Sequence, residues 1–229
     1  MPQTPAAGQT YSLLDHLRHL LADDPDLMAA HLSGGLNIWT YRNVLKIYGY
    51  AHNMQNDWHA QNVTDLRHRL IETLDYLDGV HFVQQDVPAG TPDEAGLPSS
   101  QIGLLEFSPT QTPPAYLSHI ALHLNGVLQS PGSTADQRTL ASQIDHILSN
   151  VRDLLQQVRS DAKQLLQMSD SQLLQSSSLT LINDLSTRAT AAFNGQSSAS
   201  TGQTEKGVSQ MYVAIQKLAT FDVTAYKGS

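Results

Sequence analysis

Leu140, Ile144, Ile147, Val151, Leu154, Val158, Leu165 and Met168 follow alternating steps of four and three residues, a run that Asp161 alone interrupts. That period marks one long helix with a single buried edge. A helix over 134–168 extends about 50 Å, and a compact chain of this length is roughly 45 Å across. The helix therefore crosses the whole molecule, and any fold has to be built around it.

Reading the stripe as heptads puts Ile144, Val151, Val158 and Leu165 at position a, and Leu140, Ile147, Leu154, Asp161 and Met168 at position d. Position e is also apolar or small, with Ala141, Leu148, Leu155, Ala162 and Ser169. Position g is an amide column of Gln143, Asn150, Gln157 and Gln164, which lacks the charge complementarity that selects partners in a zipper. Three inward columns make the broad face of a bundle helix. Two accounts cover Asp161. In the preferred one the seam has drifted, leaving Asp161 at its edge with Ala162 facing in; in the other a buried partner such as Arg188 holds it.

Shorter apolar faces precede the stripe. Leu13, Leu14, Leu17, Leu20 and Leu21 mark one helix, and Asp24-Pro25 restarts the chain with an N-cap and a proline at the first helical position. Further faces are Ile38, Tyr41, Leu45, Tyr48 and His52, then Val63, Leu66, Leu70, Leu74 and Leu77 with Gly79 as terminator. Val80–Val87 and Ile102–Phe107 are short, apolar and β-compatible, with a Pro-, Gly- and Asp-rich loop between them. Leu117, Ile120, Leu124 and Leu128 define a helix after Pro113-Pro114. Ser133 or Thr134, with Asp136 or Gln137 three residues on, offers a capping box for the long helix. A break at Ser169–Ser171, a helix toward Gly195, a loop at 196–204 that is flexible by composition, and a last helix bearing Val208, Met211, Ile215 and Leu218 complete the chain. The expected fold is mainly α: six or seven helices bundled on the long one, with a two-stranded β excursion near 80–107. Residues 1–130 form an acidic part rich in histidine and aromatic residues, 131–229 a neutral part, and the two are expected to make one compact unit.

The net charge of −8 falls entirely before residue 131. No basic stripe exists, which argues against nucleic acid as a partner. The chain has no cysteine, so disulfides, thiolate metal sites and cysteine nucleophiles are excluded. The first eight residues carry no secretory leader pattern, and no run approaches the ~18 apolar residues of a membrane span. A cytoplasmic location is the expectation. Phosphate-binding glycine loops, nucleophile elbows and dinucleotide fingerprints are absent from the sequence.

Two constellations remain. All ten histidines precede residue 147. His119 and His123 share one helix face at i and i+4, the spacing that lets two imidazoles hold one edge of a metal site. No glutamate lies between them to serve as a metalloprotease base, and the spacing does not name a third ligand. His16 and His19 form a second pair beside Asp15, while the Glu-x-x-His pairs of di-iron bundles are lacking. The other constellation is aromatic: Trp39, Tyr41, Tyr48, Tyr50 and Trp58, with Arg42 among them, lie within twenty residues. Such rings serve either as core or as a contact surface. The expected function is a non-catalytic binding or assembly protein that meets a protein partner or a second copy through this segment, without a cofactor. The alternative is a histidine-rich protein, a binding protein or an enzyme, holding a transition metal or cofactor at His119 and His123.

Overall fold

A computed structural model describes residue 5 and residues 10–88, 100–197 and 204–220. Ten helices lie among them: α1 (Leu13–Leu21), α2 (Pro25–Ala29), α3 (Leu36–His59), α4 (Val63–Asp78), α5 (Val83–Asp86), α6 (Tyr116–Gln129), α7 (Ala135–Leu166), α8 (Asp170–Leu173), α9 (Ser176–Asn194) and α10 (Val208–Lys217). Leaving out the short α2, α5 and α8, seven helices build the bundle, as the periodicity predicts. The long α7 packs against α4, α6, α9 and α10, while α3 packs against α1, α4, α6, α9 and α10. Helices from both halves of the chain thus interleave around α7 and α3. No helix among the described residues is long and apolar enough to cross a membrane.

Local chemistry sets the helix ends. The Thr134 side chain accepts from the Gln137 amide, and the Gln137 side chain reaches back to Thr134, forming the expected capping box of α7. Gly79 and Gly195 follow α4 and α9 with φ of 83° and 77°, a region that favours glycine. Along α7 the a residues and the e residues Ala141, Leu148, Leu155 and Ala162 are essentially inaccessible, whereas Ile147, Leu154 and Asp161 of the d column lie nearer the rim. The seam has drifted toward e, and Asp161 also meets the Arg188 guanidinium from α9. Both accounts of Asp161 therefore hold. Burial pushes its carboxyl up, with Arg188 opposing.

The β excursion lies elsewhere than expected. The two-stranded antiparallel sheet pairs β1 (Gln196–Ser197) with β2 (Thr204–Glu205), closing on the loop whose residues 198–203 fall outside the description. Val80–Val87 instead contains α5, and most of the loop that follows it (89–99) is likewise outside. Ile102, Leu104 and Leu105 are buried as a strand would be, but their backbone has other partners. The Leu104 and Leu105 amides donate to the Tyr76 and Leu77 carbonyls at the end of α4. The Gly103 and Leu104 carbonyls accept from the Tyr116 and Leu117 amides at the start of α6. One irregular segment thus satisfies unpaired backbone groups of two helix ends. A short apolar run does not by itself distinguish this arrangement from a strand. The consequence is positional, because this suture sets where α6 begins and so where His119 and His123 lie.

Candidate metal centre

Helix α1 starts at Ser12, whose hydroxyl accepts from the Asp15 amide, while the Asp15 carboxylate takes the Ser12 amide at 2.9 Å. The Ser12 hydroxyl also donates to that carboxylate at 2.7 Å, and this bond, followed by the one from the Ser12 amide, holds the Asp15 carboxyl below its usual range. Packing of α1 against α6 then carries the His16 and His19 face onto the His119 and His123 face. The two pairs that the sequence shows separately become one cluster. The His16 and His123 Nδ1 atoms are 3.0 Å apart, and His19 Nδ1 lies 3.3 Å from His123 Nε2. His119 stacks on His123 with ring centroids 5.0 Å apart, and the Tyr11 ring stands edge-on to His19 at 4.9 Å.

Asp24 completes the cluster. Its Oδ1 caps α2 by accepting from the Asp26 and Leu27 amides at 3.0 and 3.1 Å, as the Asp-Pro signal predicts. Its Oδ2 turns the other way, lying 3.5 Å from His119 Nε2, 3.8 Å from His123 Nε2 and 3.9 Å from His19 Nδ1. These separations exceed a hydrogen bond. Asp24 is fully buried, and its Oδ2 accepts no hydrogen bond among the described residues. A carboxylate oxygen in that position costs free energy unless a cation or proton meets it. Sequence reasoning assigned Asp24 only its capping role, because spacing along the chain does not show where the second oxygen points.

His16 faces the other ring nitrogen of His123. Were His123 Nε2 to hold an ion, the proton would stay on Nδ1 and donate to His16 Nδ1; such a second partner fixes both tautomer and ring direction. The His16 ring occupies space left by Gly126, where an added Cβ would lie 2.1 Å from ring atoms. Gly126→Ala should therefore lower stability. Overpacking of about 1–3 kcal/mol outweighs the roughly 1 kcal/mol gained in helix propensity, so the melting temperature should fall by several degrees. An unchanged or higher melting temperature would show that His16 leaves the cluster freely.

Burial, followed by the neighbouring imidazoles, pushes the His123 pKa down to about 3. Burial also lowers His16 and His19. Neutral imidazoles are the form that binds metal. A His whose pKa is depressed by folding makes stability complete above the unfolded value of about 6.5 and lets it decline as pH falls below that, by up to ~1.4 kcal/mol per pH unit. Metal-free His123→Ala should then show a shallower fall in melting temperature between about pH 6.5 and 4 than the parent. Equal slopes would mean that His123 protonates without cost.

The aromatic segment is distributed rather than gathered. Tyr41 contacts Phe193 and Tyr212, and Tyr48 stacks on Phe193, so both rings join α3 to α9 and Tyr41 also reaches α10. Tyr50 faces Tyr76 on α4, and Trp58 donates to the Ser178 hydroxyl at 3.2 Å. Trp39 donates to the Ser33 carbonyl, with the exposed Arg42 guanidinium 5.2 Å from its ring centroid. Comparison with family models, curated proteins and solved structures finds no match to this chain.

Proposed function

We propose that this protein binds a divalent transition metal, Zn²⁺ fitting best, through His19 Nδ1, His123 Nε2 and Asp24 Oδ2, and that the ion ties α1, the turn before α2 and α6 together. The observation that carries this reading is the buried, unpartnered Asp24 Oδ2 aimed at imidazole nitrogens. The three ligand atoms lie 3.3, 3.8 and 3.9 Å from one another. Ligands around a tetrahedral ion with bonds of ~2.0–2.2 Å lie ~3.3–3.6 Å apart, so contraction by a few tenths of an ångström closes the site. Two imidazoles and a carboxylate without thiolate suit Zn²⁺ and its neighbours rather than Mg²⁺ or Ca²⁺. Deep burial of the ligands favours a holding role over turnover at this ion. The aromatic segment supports a partner-binding reading less well, since its rings are largely committed to helix packing.

The test is zinc uptake by untagged protein that has been stripped with chelator and dialysed. At least one equivalent of zinc should bind and survive gel filtration. Zinc that elutes free of the protein would contradict the reading.

A further inference from the structure

The zinc reading leaves His119 and Asp26 unused, yet both converge on the same Asp24 oxygen. His119 Nε2 lies 3.5 Å from Asp24 Oδ2 and 3.9 Å from Asp26 Oδ2. Ligand atoms of Asp24, Asp26 and His119 all fall within 4.8 Å of one another, as do those of His19, Asp24 and His123. The two triads differ in setting. Asp24 and His123 are sealed in, whereas the Asp26 side chain is 45% exposed and opens the second triad to solvent. We propose a second divalent cation held by His119, Asp26 and Asp24, with Asp24 Oδ2 shared between the two ions.

Asp24 restricts how the ions are joined. Because Oδ1 accepts two backbone amides, the carboxylate bridges through Oδ2 alone. Two ions bonded to one oxygen lie about 3.5–4 Å apart, the spacing of two-metal sites. The outer set, two carboxylate oxygens and one nitrogen with a solvent-facing side, is harder and less complete than the inner one. It should hold its ion more weakly, accept Mn²⁺ as well as Zn²⁺, and keep water in the open positions. An anionic oxygen ligand, such as a phosphate or carboxylate, could replace that water.

This inference rests on the zinc reading and is tested separately by calorimetric titration of metal-free protein with Zn²⁺. The expected isotherm has two classes of one equivalent each, the second at least tenfold weaker. Asp26→Asn, at a half-buried position and with folding checked by circular dichroism, should lose the weaker class and keep the tighter one. A parent protein that takes one equivalent overturns the second site and leaves the first standing. No uptake at all overturns both. An Asp26→Asn protein that still binds two equivalents, or that loses both classes while folded, shows that the outer triad is not a separate site.

Discussion

His123→Ala should remove most of the zinc-dependent stabilisation. An ion that binds the folded chain alone at a free concentration a thousand times its Kd adds about 4 kcal/mol. For a chain of this size each kcal/mol moves the melting temperature by roughly 2–4 °C, so zinc should raise that of the parent by about 8–16 °C. In His123→Ala that shift should be lost apart from the smaller contribution of the weaker outer triad, because the lost Nε2 is the proposed ligand that faces both His19 and Asp24. Differential scanning calorimetry with and without zinc reads this directly. A full zinc shift in the variant would remove His123 from the site.

Asp24→Asn is the second large effect, and its two halves carry opposite expectations. An asparagine keeps an oxygen for the Asp26 and Leu27 amides, and as an N-cap it ranks with aspartate. Its amide also replaces an unpartnered buried oxygen with a donor among imidazole nitrogens 3.5–3.9 Å away. The metal-free variant should therefore melt at the parent temperature or above it. Its zinc affinity should fall more than ~100-fold, beyond the usual loss from an outer-shell change. A variant destabilised without metal would mean that Asp24 acts mainly as a structural carboxylate. Retained affinity would mean that it is not a ligand.

Much of the fold was legible because its signals are local. The capping box at Thr134, the Asp24-Pro25 start, Gly79, Gly195 and the three inward columns of α7 all act within one or two turns of where they are read. No strand forms within the described part of 80–107, because Ile102–Leu105 is apolar and buried for a non-local reason: its backbone serves the ends of α4 and α6. The site divides in the same way. His119 with His123, and His16 with His19, were visible as helix-face pairs. Their union depends on α1 packing against α6, more than a hundred residues away in sequence. Asp24 was legible through one oxygen only, since a cap requires just one and the sequence is silent on the other.

Extended X-ray absorption at the zinc edge of protein carrying one equivalent reads the proposed ligand set. The spectrum should show four or five nitrogen and oxygen neighbours at about 2.0–2.2 Å, no sulfur, and the outer-shell scattering of two imidazoles. A six-oxygen shell without imidazole scattering, as for hydrated or surface-bound zinc, would contradict that ligand set.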